Sequence, residues 1–170
     1  MAEKWDAYNA SRQKLNKIIY RGEKLDKGEY HLVVHVCYFN SDKKMLIQQR
    51  SKHKSWGLLW DISVGGAVQF NETSQMAAQR ESFEELGIKH NFDGVLPQIS
   101  RTFERGFDDI YIIKKDINIK DIKFNDQEAC DVKWVTEEEI YQLITKQQFL
   151  PIYDKTFIHF LFDLFHKQRH

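Results

Sequence analysis

Short runs of apolar residues, separated by polar turns, predict a series of strands interrupted by one long helix. Tyr30 to Phe39, rich in Val, Tyr and His, predicts a strand through the middle of the domain. Asn40-Ser41-Asp42 turns the chain, Met45 to Arg50 returns as a second strand, and Trp60 to Val64 is a short third. Thr73 to Leu86 then holds no Gly or Pro, includes Ala77 and Ala78, and predicts a helix. Asn71 and Thr73 are capping-type residues before it, and Gly87 stands where a left-handed C-terminal cap is expected. Ile88 to Phe92 predicts a strand, and Ile99 to Arg105 with Asp109 to Lys115 a hairpin around Gly106. After a strand at Ala129 to Val135, the capping box Thr136-Glu137-Glu138-Glu139 opens a helix to about Lys146. Tyr153 to His166 predicts a closing helix carrying Phe157, Phe160, Phe162 and Phe165. Residues 1–30 are polar, with turn signals at Arg21-Gly22 and Lys27-Gly28, and predict irregular chain.

Hairpin strands mixed with a helix after a central strand predict an α/β fold, a mixed sheet covered on both faces. The 170 residues fit one domain with a substantial core, residues 1–30 being an N-terminal extension of it. The closing helix reads as core packing, with a dimer interface as the alternative, so a monomer or homodimer is expected. Composition narrows the partners. Basic and acidic residues number 25 each, so no bulk charge favours a nucleic acid polymer or a membrane surface. Cys37 and Cys130 lie far apart with no metal-type spacing, which points to a reduced, cytoplasmic protein. Met-Ala-Glu-Lys-Trp-Asp at the start has no apolar signal core, and no apolar run is long enough to span a bilayer.

Candidate chemistry concentrates on the long helix. Glu81, Glu84 and Glu85 are spaced i, i+3, i+4 and project from one side of it, where three like charges repel unless a cation neutralises them. Their hard oxygens suit Mg²⁺, or Mn²⁺ in its place. Arg80, adjacent to Glu81 and i, i+4 with Glu84, can orient a carboxylate without competing as a ligand. The loop Ser63-Val64-Gly65-Gly66 allows close backbone approach, so a glycine carbonyl can complete a metal shell. A solvated acidic face is the ordinary reading of Glu-Glu alone. Gly66, Glu72, Arg80 and Gly87 stand at set offsets from these acids, and it is the resemblance those offsets carry that takes this cluster out of that class.

The run Gly66-x5-Glu72-x7-Arg80-Glu81-x-x-Glu84-Glu85-x-Gly87-Ile88 resembles the signature of the Nudix family of diphosphate hydrolases, with every polar and glycine position filled. Ser82 departs from it, standing where an aliphatic residue is usual, and is expected to loosen the helix slightly. The resemblance implies an α/β/α sandwich and a Mg²⁺-dependent hydrolase cleaving a diphosphate linkage in a nucleoside-diphosphate-type small molecule, by water attack on phosphorus. Glu81, Glu84 and Glu85 become the metal-binding and water-activating set, with Arg80 beside them and the Gly66 carbonyl as an extra ligand. Glu85 is the ligand the family pattern marks most firmly, while Glu72 and Arg80 orient and Gly87 ends the helix. Glu128, before a strand, is a candidate further ligand or else an exposed loop acid. Arg50 and Lys54 are candidates for substrate phosphates, and Trp56 for stacking on a base or sugar. Lys52 and His53 read as loop charges and Trp60 as core.

A second likeness runs over residues 5–136. Trp5-Asp6, Gly28-Glu29-Tyr30-His31, Phe39-Asn40, Leu46 to Arg50, Lys54 and Trp60 are similar to the Nudix branch related to type I isopentenyl-diphosphate isomerase. That branch has a catalytic Cys and a metal-binding His in a Trp-x-x-x-x-Cys-x-His arrangement, and here Gly65 and Ala67 stand at those two places. Neither side chain transfers a proton or binds a metal. His31 and Glu128 match isomerase ligand positions, although a lone strand histidine is ordinarily structural. The alternatives to a hydrolase are therefore that isomerase and a non-catalytic nucleotide-binding module.

Overall fold

A computed structural model of the chain describes residues 2–124 and 127–168. Among these described residues, nine strands and three α-helices follow in the order β1 (Lys4–Tyr8), β2 (Lys14–Tyr20), β3 (His31–Phe39), β4 (Met45–Arg50), β5 (Trp60–Ile62), β6 (Val64–Ala67), α1 (Ser74–Leu86), β7 (Ile99–Phe103), β8 (Gly106–Lys114), β9 (Ala129–Val135), α2 (Glu137–Thr145) and α3 (Lys155–Lys167). Seven strands form one mixed sheet. β8 runs parallel to β3 along the whole of β3, β7 pairs antiparallel with β8, and β4 carries β5 and β9 on its two edges. The expected α/β architecture is what the chain adopts.

Side-chain alternation along β3 divides the core in two. Leu32, Val34, Val36 and Tyr38 face one cluster, completed by Ala77, Ala78 and Leu86 of α1. Cys37 and Phe39 face the other, where Ile140 of α2 and Ile158, Leu161, Phe162 and Phe165 of α3 are buried. The sheet is thus covered on both sides, and β8 between β3 and β7 is buried from Gly106 to Ile113. Phe165 stacks on Phe39 with ring centroids 4.3 Å apart, so the aromatic closing helix packs mainly into the core. Phe160 remains exposed. Among the described residues, no helix is long and apolar enough to cross a membrane.

Three expectations need correction. Residues 4–20 are not irregular: β1 and β2 form an antiparallel hairpin with Trp5 opposite Ile19, whereas 21–29 is irregular with the expected turns at Arg21-Gly22 and Lys27-Gly28. Ile88 to Phe92 is not a strand. Gly87 takes the left-handed conformation at φ 68°, and the amides of Gly87 and Ile88 turn back onto the carbonyls of Phe83 and Ser82. That commits the backbone to ending the helix, while the side chains of Ile88 and Phe92 are buried in the core cluster that α1 completes. Trp60 to Val64 is two strands rather than one, since the chain changes partner at Ser63, from β4 to β3. The buried Ser63 hydroxyl covers that switch, accepting from the Tyr38 amide at 2.9 Å and donating to the Leu46 carbonyl.

Candidate metal and diphosphate site

Helix α1 presents the acidic cluster to the end of β6. Its N-cap is Thr73, whose side chain accepts from the Met76 amide at 3.2 Å. The i, i+4 pair Glu81 and Glu85 faces the sheet and is buried, whereas the Glu84 side chain is half exposed. Ser82 is buried as well, and the Tyr38 hydroxyl donates to it at 2.9 Å. The departure from an aliphatic residue is therefore absorbed by a hydrogen bond and does not leave a loose contact.

Arg80 organises the acids. Its Nε donates to Glu72 Oε1 at 2.7 Å, Nη1 to Glu81 at 2.7 Å and Glu84 at 3.0 Å, and Nη2 to Glu72 Oε2 at 2.9 Å and the Ala67 carbonyl at 3.0 Å. Burial favours the neutral form of Glu72, but the bonds from Arg80 hold its carboxyl below the usual range. Burial raises Glu81, and the charge of Arg80 only partly offsets it. Glu85 is pushed up to about 7, first by burial and then by the nearby charge of Glu81. Its Oε2 accepts from Gln48 Nε2 at 2.8 Å and the Gly65 amide at 3.3 Å.

Both glycines are closely approached by side chains. A Cβ on Gly66 would lie 2.1 Å from Glu81 Oε1, so a side chain there would push that carboxylate off its place against the backbone and off Arg80. A Cβ on Gly65 would lie 2.3 Å from Cδ2 of His35. Gly65 is paired with His35 across β6 and β3, and His35 Nδ1 bonds Asp108 Oδ1 at 2.7 Å. The ring thus fills the space that a side chain at position 65 would need.

A cavity of about 280 Å³ is lined by Gly65, Gly66 and Ala67, by Arg80, Glu81, Glu84 and Glu85, by Lys54 and Glu128, and by Glu3, Trp5 and Arg21. The sequence-based set of Gly66, Arg80, Glu81, Glu84, Glu85, Lys54 and Glu128 is therefore brought together. Lys54 is ion-paired with Glu128, and burial lowers its ammonium pKa. Arg50 and Trp56 are not among the lining residues. Arg50 is spent on Asp61 Oδ2 at 2.9 Å and the Ser55 carbonyl at 3.0 Å, and Trp56 projects to solvent. Trp60 is buried as expected, with Lys133 Nζ 4.2 Å from its ring centroid. His31 stacks on Trp5 at 4.9 Å with Nδ1 buried and unpartnered among the described residues, and it does not reach the cavity wall. A larger cleft of about 570 Å³ around Phe83 and His90 is lined by none of the glutamates of α1.

Among the described residues, no three His, Cys, Asp or Glu side chains are already gathered as a ligand cluster. Glu81 and Glu84 are turned onto Arg80, and Glu85 onto Gln48. The donor chemistry nevertheless fits a hard divalent cation. Five carboxylates against three cations line the cavity, and Gln48 Oε1 beside Glu85 is buried without a partner among the described residues. Glu3, Trp5 and Arg21 were missed in the sequence because the hairpin that carries them was read as irregular. The alternation in Lys4-Trp5-Asp6-Ala7-Tyr8 was the available signal.

A family model described as the NUDIX domain matches residues 29–157. The chain belongs to the Nudix family. This Nudix protein is 43% identical over 163 residues to an uncharacterized Nudix hydrolase of Listeria monocytogenes, with 95% of each chain covered. Its fold matches the crystal structure of a Deinococcus radiodurans protein with a TM-score of 0.71 at 28% identity, covering 86% of this chain and 91% of that one. Likeness to isopentenyl-diphosphate Delta-isomerase I of Arabidopsis thaliana is weaker, 28% over 138 residues, covering 68% of this chain and 46% of that protein. The Nudix chain is a hydrolase of diphosphate-type bonds, in a family that acts on small molecules and generally uses divalent cations.

Proposed function

We propose that the chain is a Mg²⁺-dependent hydrolase that cleaves the diphosphate linkage of a nucleoside-diphosphate-type small molecule by water attack on phosphorus. Mn²⁺ is the alternative ion and the cytoplasm, suggested by the free thiols of Cys37 and Cys130, the compartment. One observation carries the reading: two buried carboxylates, Glu81 and Glu85, meet a glycine backbone in a cavity whose formal charge is negative.

Glu81, Glu84 and Glu85, with the Gly66 carbonyl and Glu128, would hold the cation. When bound, it would neutralise charge on the phosphate oxygens and lower the pKa of the attacking water. Arg80 fixes the orientation of Glu72, Glu81 and Glu84 through four of its five bonds, so these acids need not reorganise as charge develops. Gln48 and the Gly65 amide hold Glu85 Oε2 on the sheet side, leaving its other oxygen for the cavity. Lys54 enters the same cavity as a cation for phosphate oxygens.

The isomerase alternative is disfavoured by the space at Gly65. The His35 ring occupies the volume that a cysteine side chain would need. A screen of nucleoside di- and triphosphates, dinucleotides, nucleotide sugars and prenyl diphosphates with Mg²⁺ or Mn²⁺ tests the proposal. Phosphate release and isopentenyl isomerisation are both followed, with Glu85→Gln as control. Release by the wild type at the rate of that variant on every compound would overturn the hydrolase reading. Substantial isomerisation would restore the alternative.

A further inference from the structure

A diphosphate entering this cavity needs donors that the protein has not already used. Arginine offers five N–H groups, and all five of Arg80 are committed to Glu72, Glu81, Glu84 and Ala67. Arg50 is held by Asp61 and the Ser55 carbonyl outside the cavity lining, and Lys54 spends one of its three N–H groups on Glu128. Arg21 is different. Its side chain is 67% exposed, lines the cavity, and among the described residues donates only from Nη1 to Glu3 Oε2 at 3.2 Å. A planar guanidinium with most of its N–H groups free matches two oxygens of one phosphate.

Its placement is fixed through a chain of contacts that ends in the acidic cluster. The Arg21 amide bonds the Glu3 carbonyl at 2.9 Å, extending the β1–β2 hairpin by one rung. Glu3 Oε1 accepts from Gln69 Nε2 at 3.1 Å, and the Gln69 amide donates to Glu72 Oε2 at 2.9 Å. Glu72 in turn holds Arg80. Two further bonds dock the hairpin on the loop before α1, from the Phe70 amide to the Lys4 carbonyl at 2.8 Å and the Asn71 amide to Asp6 Oδ2 at 2.9 Å. Both hairpin strands and Arg21 precede the segment 29–157 matched by the family model, so this cation is an addition made by the N-terminal chain.

We propose that Arg21, at the foot of the β1–β2 hairpin, binds a phosphate of the substrate's diphosphate and helps determine which diphosphates are accepted. The proposal rests on the hydrolase reading above, and its test has one arm that does not depend on turnover. Methylenediphosphonate, whose P–C–P bridge resists hydrolysis, is titrated calorimetrically with Mg²⁺ into wild type, Arg21→Gln and Arg21→Lys. Kinetics are measured on the best substrate of the screen. Loss of a charge-assisted phosphate contact should weaken methylenediphosphonate binding and raise KM by about 10- to 100-fold in Arg21→Gln, with kcat held within about threefold. Arg21→Lys, keeping the charge without the fork, should fall between. Equal binding by wild type and Arg21→Gln overturns the proposal, as does absence of measurable binding by the wild type. A fall in kcat at unchanged KM also overturns it, since that would place Arg21 in the chemical step. If no compound is turned over but methylenediphosphonate binding still falls in Arg21→Gln, the hydrolase reading fails while Arg21 stands as a diphosphate-binding residue.

Discussion

Gln48 on β4 donates its amide to Glu85 on α1 at 2.8 Å, while the carbonyl oxygen of the same Gln48 side chain is buried with no partner among the described residues. One side chain therefore both restrains a catalytic candidate and carries an unmet need of its own. Gln48→Ala removes the bond that favours ionised Glu85, so the Glu85 pKa should rise further from about 7. A bond to a charged group contributes about 1.5–3 kcal/mol, enough to move the acid limb of the rate–pH profile upward by about one unit. The half-saturating Mg²⁺ concentration at pH 7 should rise with it. A profile and metal dependence equal to the wild type would remove Gln48 from this role.

Glu85 also links stability to pH and metal. Its folded pKa of about 7 lies above the ordinary 4.5, so without metal its contribution is fully present below pH 4.5 and is lost as pH rises through 7. A cation that neutralises the carboxylates should restore it. Thermal melts with EDTA and with Mg²⁺ should therefore diverge more at pH 8 than at pH 5. Each kcal/mol recovered corresponds to about 2–4 °C in Tm at this chain length. A metal-induced shift equal at the two pH values would contradict the linkage.

Arg80 should not tolerate lysine. Lysine keeps the charge but offers three donors to a site that uses five, leaving partly buried carboxylates without partners. Arg80→Lys should cost about 2–4 kcal/mol of stability and lower activity by more than about tenfold. Denaturant unfolding and steady-state rates measured together would check both effects.

The pair Gly65 and His35 gives a double-mutant test. Gly65→Cys alone forces Cβ into the imidazole, which lies 2.3 Å from the ideal position, and should cost about 1–3 kcal/mol. Adding His35→Ala opens that space, so the double variant should be more stable than the sum of the single effects. Additive losses would mean that the ring is not the obstacle.

Thiol chemistry should separate the two cysteines. Cys130 is exposed, whereas Cys37 is fully buried and burial pushes its thiol pKa up. A maleimide should modify one site on the native protein and two after denaturation, read by mass spectrometry. Native modification of Cys37 would show that the α3 face opens.

The acidic helix was legible because its chemistry is local: caps, helix formers and carboxylates all lie within one continuous run from Asn71 to Gly87. Ile88 and Phe92 misled because burial alone gives them the apolar spacing of a strand, while the cap at Gly87 uses the backbone otherwise. The N-terminal hairpin escaped because β2 is exposed at every position except Ile19, so little core pattern marked it. The alternation in β1 could have announced the hairpin, but not that Arg21 reaches the cavity. Its position in the cavity depends on Glu3, Gln69 and Glu72, a relay that no spacing in the sequence announces.

Ser82 and Tyr38, 44 positions apart, behave as one two-letter word. Restoring the family's aliphatic residue at position 82 alone would strand the Tyr38 hydroxyl in the core, turning an apparent repair into an injury. A protein engineer moving this helix toward the family average would have to change Tyr38→Phe in the same stroke.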